Sequence, residues 1–279
     1  MEPVRITRGD SPLVLGLPHA GTHVPEAVRA ALNDEGRVLR DTDWHIDRLY
    51  ADLVPGATCV AATVHRYVID ANRDPTGRTL YPGRSTTGLV PLTTFDNVPI
   101  WRDGMEPGAA DTARRLAACH APYHAALAGE LDRVKARHGY AVLYDCHSIR
   151  SEIPWLFEGV LPDFNIGTDL GATCAPAIEA AARDACLATG RTTVVNGRFR
   201  GGWTTRHYGK PENGIHAIQM ELAQRTHLAC EAPPFALSPD LSVSLRAQLS
   251  DILQAILDAA SAVRAGADTK GSRYARPAS

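Results

Sequence analysis

Short apolar runs rich in Val, Leu and Ile, each closed by polar residues or glycine, recur at Pro12–Pro18, Ala62–Asp70, Tyr140–Tyr144, Thr192–Val195 and Ile215–Met220. Runs of this length and composition predict buried strands. The longer stretches between them carry apolar residues at helical spacing: Pro25–Leu32, His45–Val54, Gly108–Arg137, Asp169–Thr189 and Pro239–Ala265. In the last of these, Leu241, Leu245, Leu249, Ile252, Ile256 and Leu257 mark one face. The alternation predicts an α/β domain with a mainly parallel central sheet and helices on both faces, because parallel strands need crossover connections. A single such domain is expected over 1–265. Beyond it the periodicity stops, which predicts a disordered tail over 266–279. The stretch Asp74–Trp101 has no period and is rich in Gly, Pro and Thr, the mark of an ordered covering loop with a functional role.

Composition narrows the class of partner. At 279 residues and 44% hydrophobic the chain can bury a large core without staples. Twenty-nine Lys and Arg against 31 Asp and Glu give a formal charge of −2, which removes the long-range attraction that nucleic acid or an anionic membrane surface needs. Six cysteines with no CxxC spacing fit neither a disulfide framework nor a zinc ribbon, and so fit a reducing compartment. The polar start MEPVRITRGD is unlike a signal peptide, and no apolar run approaches the ~18 residues of a membrane span. A cytoplasmic enzyme or binding protein for a small molecule is expected, with no nucleic-acid or membrane partner and an oligomeric state that the sequence does not set.

Ligands of open α/β sheets bind at the carboxyl ends of the strands, so the residues that follow each strand carry the chemistry. Here they read PHAGTH (from Pro18), DANRDP (from Asp70), DCHSIR (from Asp145), NGRFRGG (from Asn196) and MEL ending near Glu221. His19 and His147 stand just beyond or at the end of such strands, and neutral imidazole is a favoured ligand of divalent zinc. A catalytic zinc takes about three protein ligands and keeps one position open. The third ligand is therefore another histidine or a carboxylate, and DTDWHID supplies His45, Asp41, Asp43 and Asp47. Asp145 lies two residues before His147, so on an extended strand both point the same way and the carboxylate can orient the ring. Glu221 ends an apolar strand, where it needs either a cationic partner such as Arg225 or a raised pKa; the latter suits a general base. Asn72 and Arg73 present an amide and a planar guanidinium suited to a carboxylate. Arg198, Arg200 and Arg206 lie on the glycine-rich stretch NGRFRGGWTTRHYG, and such density of basic groups suggests a small anionic substrate. No GxxxxGK[ST] or strand-linked GxGxxG points to a nucleotide.

Together, PHAGTHVP, DTDWHIDRLY, VIDANRDP, LYDCHS, NGRFRGGWTTRHYG and AIQMELAQ resemble the N-formylglutamate amidohydrolase (N-formylglutamate deformylase) family of histidine degradation, over roughly Leu13 to Arg225. That family is itself similar to the zinc carboxypeptidase and aspartoacylase hydrolases. The resemblance implies one zinc ion held by His19, His147 and an acid, with Glu221 as general base and Asn72 and Arg73 gripping the substrate. It also implies a catalytic part for Arg73, at the oxyanion or the α-carboxylate, and a substrate-binding part for Arg200 and Arg206. The peptidases place a glutamate three residues after the first histidine, and here that position is Thr22. Asp43 is the replacement, with Asp47 second. The expected reaction is hydrolysis of N-formyl-L-glutamate to formate and L-glutamate. The alternatives are a zinc deacylase or carboxypeptidase for another N-acyl amino acid and, in a different class, a non-catalytic binding protein for acidic amino acids.

Overall fold

The computed structural model describes residues 2–79, 83 and 86–274, the last eight of these as backbone only. Seven strands form one sheet: β1 (Val4–Thr7), β2 (Leu13–Leu17), β3 (Thr58–Ala62), β4 (Ala141–Ile149), β5 (Phe164–Gly167), β6 (Thr193–Val195) and β7 (Ile215–Ala223). Their order is β1-β3-β2-β4-β7-β5-β6. The centre is parallel, β3 to β2 to β4 to β7, while β1 on β3 and β5 on β7 are antiparallel. The expected mainly parallel α/β sheet is what the chain forms.

Alternation along the central strands sorts side chains onto two faces. Leu13, Leu15, Leu17, Val142, Tyr144, Cys146, Ile218, Met220 and Leu222 share one buried cluster. It is covered by α3 (Ile46–Tyr50), α6 (Pro176–Ala188) and α8 (Pro239–Tyr274) through residues such as Leu49, Ile178 and Leu249. On the other face, Val14, Val60, Ala141, Leu143 and Ala217 meet Tyr123, Leu127, Leu131 and Val134 of α5 (Ala121–His138). Two residues further along that same face stand Asp145 and Gln219, and two further still His147 and Glu221. The apolar face of α5 has ended there, and these polar positions are left to line a cleft.

Several elements differ from the sequence reading. The second strand is Thr58–Ala62 and not Ala62–Asp70. Val64, Tyr67 and Val68 are buried in a turn against Leu32, Ile100 and Trp101, so their apolar run reflects burial beneath a loop and not a place in the sheet. Strand β1 is a largely exposed edge strand, and β5 is four residues, FNIG, in which Asn and Gly dilute the pattern. The Gly108–Arg137 helix is observed as α4 (Ala109–Arg115) and α5, joined by a π-helical turn over Leu116–His120. Two short helices were not foreseen: α2 (Asp34–Arg37), capped by the Asn33 side chain, and α7 (Trp203–Tyr208) within the glycine-rich stretch. Because α8 runs to Tyr274, the tail expected over 266–279 lies partly in this helix and partly, at 275–279, outside the described residues. Asp74–Trp101 is a loop crossed by only isolated bridges, with part of it (80–82, 84 and 85) outside the described residues.

Candidate metal and substrate site

Each polar side chain reaches the cleft for a local reason. The sharp exit from β2 carries His19 under the sheet edge, where Gly21 packs so closely on the Thr63 backbone that a Cβ would lie 2.5 Å from its carbonyl carbon. Asp43 sits in the turn before α3, with its N–H donating to the His19 carbonyl. In the parallel pairing of β4 with β7, His147 stands opposite Glu221 and Asp145 opposite Gln219.

Three atoms converge. His19 Nδ1 and His147 Nδ1 are 3.2 Å apart, and Asp43 Oδ2 lies 3.1 Å from His147 Nδ1 and 3.6 Å from His19 Nδ1. Ligands about 2.0–2.1 Å from a tetrahedral ion stand ~3.3 Å from one another, so this triangle has the size of a three-ligand face. The far nitrogen of His19 fixes its tautomer: Nε2 is 2.6 Å from Asp70 Oδ1, a carboxylate accepts only, so Nε2 carries the proton and Nδ1 turns its lone pair to the centre. On the far side of His147, Asp145 Oδ1 stands 3.1 Å from Nε2 without a hydrogen bond to it. Asp145 is itself held by the Thr205 hydroxyl at 2.9 Å, and Asp43 Oδ1 by Arg66 at 3.3 Å.

Asp43, Asp70, Asp145 and Glu221 are buried around two guanidiniums, Arg66 and Arg73. Burial alone would raise the Asp43 and Asp70 pKa values. Arg66 and His19 at Asp43, and His19 and Arg73 at Asp70, outweigh it and hold both below the ordinary carboxylate range. Burial works against the His147 imidazolium, but Asp145 and Asp43 raise its pKa. Glu221 is pushed up to about 8, first by burial, with His147 opposing and the Asp43 charge reinforcing the rise.

Beside the triangle opens a cleft whose walls include His19, His147, Asn72, Arg73, Glu221 and Gln219. The Gln219 amide is oriented without ambiguity: its Oε1 accepts from the Gly202 N–H at 2.6 Å, so its Nε2 donates to Glu221 Oε2 at 3.1 Å. Asn72 Oδ1 accepts from the Thr204 N–H at 2.8 Å, which turns its NH₂ group toward His147. Arg73 donates from Nε to the Thr87 carbonyl and from Nη2 to the Thr87 hydroxyl, both at 3.0 Å, so the covering loop aims the guanidinium.

Among the described residues, the cleft thus gathers His19, Asp43, His147, Glu221, Asn72 and Arg73. Of the other arginines named from the sequence it gathers Arg198 but neither Arg200 nor Arg206, and Arg206 pairs with Asp169 at 3.2 Å. Arg66, not named from the sequence, also lines the cleft. Asp47 faces outward to Arg5, and His45 hydrogen-bonds to the Phe235 carbonyl at 2.8 Å. Glu221 is not paired with Arg225, which binds Asp163 at 2.9 Å. Asp70 and Gln219 were legible in principle, each lying two residues before a residue already singled out, the spacing that had marked Asp145.

A family model described as N-formylglutamate amidohydrolase matches residues 11–228, the stretch that contains every one of these side chains. The chain belongs to the N-formylglutamate amidohydrolase family. It is 49% identical over 259 residues to the N-formylglutamate deformylase of Pseudomonas aeruginosa, covering 92% of this chain and 96% of that one. To the N-formylglutamate deformylase of Pseudomonas putida it is 47% identical, with 90% and 94% covered. The crystal structure of N-formylglutamate amidohydrolase from Ralstonia eutropha JMP134 superposes with a TM-score of 0.77 at 24% identity, over 95% of this chain and all of that one, so the fold is shared. No helix among the described residues of this family member is long and apolar enough to cross a membrane. The site is on the central strands of the shared fold.

Proposed function

We propose that the protein hydrolyses N-formyl-L-glutamate to formate and L-glutamate, in histidine degradation, with one zinc ion held by His19 Nδ1, Asp43 Oδ2 and His147 Nδ1. The observation that carries this reading is the triangle of those three atoms, 3.1–3.6 Å on a side, with each imidazole backed by its own buried carboxylate. When bound there, zinc supplies Lewis acidity toward the amide carbonyl and toward water.

Glu221 takes a proton from the attacking water and later delivers it to the leaving amine. Its Oε2 accepts from Gln219, which leaves Oε1 for the proton. Asn72 and Arg73 hold the substrate: with two Arg73 nitrogens tied to Thr87, the remaining N–H groups meet the oxyanion or the α-carboxylate. Arg66 and Arg198, on the same walls, add positive charge for the second carboxylate of a dianion. A non-catalytic binder of acidic amino acids would need the arginines but neither the paired histidines nor a buried Glu221. The free thiols at all six cysteines agree with a reducing, cytoplasmic setting.

The test is formate release from N-formyl-L-glutamate by the purified protein, with and without a chelator and then with zinc restored. Release that stops with chelation and returns with zinc is expected. A larger N-acyl-glutamate should be a poorer substrate; equal or better turnover of it would point instead to a general deacylase.

A further inference from the structure

Two buried histidines take no part in the chemistry above. His120 ends the π-helical turn and His124 lies one turn into α5, their rings 4.4 Å apart. Each reaches a backbone carbonyl of the turn that carries the substrate-gripping pair: His124 Nε2 lies 2.7 Å from the Ala71 oxygen and His120 Nε2 lies 3.0 Å from the Arg73 oxygen. These two carbonyls flank Asn72. A carbonyl only accepts, so both Nε2 atoms carry a proton, and His124 Nδ1 is the acceptor at 3.0 Å from the Tyr208 hydroxyl.

The turn at 70–73 belongs to no helix or strand, so no ladder fixes it, and its buried carbonyls need donors from elsewhere. From inside, Asp70 accepts from the Asn72 N–H at 2.8 Å, and its own carbonyl accepts from the Arg73 N–H at 3.2 Å. From outside, the same helical layer supplies a row of donors, beginning with Arg115 on the Val68 carbonyl at 3.0 Å and continuing with the two histidines. The π-helical turn between Arg115 and His120 inserts an extra residue, which re-phases the helix between these donors. Burial keeps the two rings neutral by lowering both pKa values, that of His124 to about 3, so each N–H faces its carbonyl without a charge that the site would have to absorb. Trp203 closes the cluster with its ring edge-on to His124 at 4.5 Å, and it begins the helix whose Thr204 N–H holds the Asn72 side chain.

We propose that His120 and His124 are positioning residues that clamp the carbonyls on either side of Asn72, so that the Asn72 amide and the Arg73 guanidinium meet the substrate already aligned. This rests on the reading that Asn72 and Arg73 bind substrate. The clamp explains why a helix on the far side of the turn carries two donors four residues apart, and why the π-helical turn ends at the first of them.

The test compares His120→Leu and His124→Leu with His120→Gln and His124→Gln, since Gln can restore an N–H near the Nε2 position and Leu cannot. Kinetics with N-formyl-L-glutamate, zinc content and hydrogen exchange at the Asn72 and Arg73 amides are read for each, with Arg73→Ala as reference. The Leu variants should speed exchange at both amides and raise KM about tenfold with unchanged zinc content, and the Gln variants should recover most of both effects. Exchange as slow in the Leu variants as in the unsubstituted protein, or Gln variants as impaired as Leu, would overturn the clamp. Faster exchange with unchanged KM, while Arg73→Ala raises KM, would overturn the positioning role. An Arg73→Ala variant with unchanged KM would instead overturn the substrate reading, and the exchange result would still decide the clamp.

Discussion

Glu221 is a buried carboxylate, 6% exposed, whose one engaged oxygen is held by an amide that can present only its NH₂ side. Replacing it with Gln should lower kcat by about 10²–10⁴, the range for a positioned acid–base group, while zinc binding is retained; kcat measured beside metal content checks this, and near-normal turnover would refute the role. Asp70 and Asp145 act through the histidines, so Asp145→Asn should weaken zinc binding roughly 10–100-fold, read by competition with a chelator of known affinity. The metal triad was legible to the extent that the histidines fell at strand ends and Asp43 in a cluster of acids. What separated Asp43 from Asp47 was invisible in the sequence: Asp43 precedes α3 and turns inward, 3.1 Å from His147, while Asp47 is on the outer side of the helix beside Arg5. The same limit applied to the arginines. Arg206 carries the same guanidinium as Arg66, but it is paired with Asp169, a pairing set by a loop conformation that no periodicity encodes.

At the scale of elements, β4 and β7 explain why the site is where it is. Their odd-numbered positions run from apolar residues under α5 to Asp145 and His147 on one strand and Gln219 and Glu221 on the other. This was readable as period-two alternation once the strands were assigned. Helix α7 was not, because six residues that follow Gly-Gly carry too little pattern. The Thr204 N–H within it and the Gly202 N–H just before it nonetheless orient two side-chain amides, and Gly202 is fixed by contact: a Cβ there would lie 2.7 Å from the Asn72 Cγ. Gly202→Ala should therefore displace Asn72 and raise KM for N-formyl-L-glutamate about tenfold or more, with a fold intact by circular dichroism. An unchanged KM would show that the close approach is not needed. On the opposite face, α8 is remote from the cleft, and its Leu249 is fully buried: Leu249→Ala should cost about 2–5 kcal/mol of stability by denaturant unfolding, with kcat/KM of the folded fraction unaltered.

For the whole molecule, a net charge of −2 conceals a buried centre of two histidines and acids that could hold a metal ion and a cleft wall that carries Arg66, Arg73 and Arg198. Burial also holds several histidines neutral, with His227 lowered to about 4 and His124 to about 3. An ordinary histidine titrates near ~6.5, so as the pH falls below that value the unfolded chain takes up protons that the folded one refuses. The contribution of these rings is then full above about 6.5 and declines progressively toward pH 4, while Glu221, raised to about 8, contributes in the opposite sense. Urea midpoints at pH 7.5 and 5, compared with those of a His227→Gln variant, should show that the substitution removes part of the loss in acid; a variant with the same pH dependence as the unsubstituted protein would mean that this ring is solvated. Anomalous scattering across the zinc edge from crystals of the purified protein tests the metal centre most directly. One ion with His19 Nδ1, Asp43 Oδ2 and His147 Nδ1 within ~2.0–2.2 Å is the predicted result; an ion bound elsewhere, or no ion at this triangle after zinc has been supplied, would contradict it.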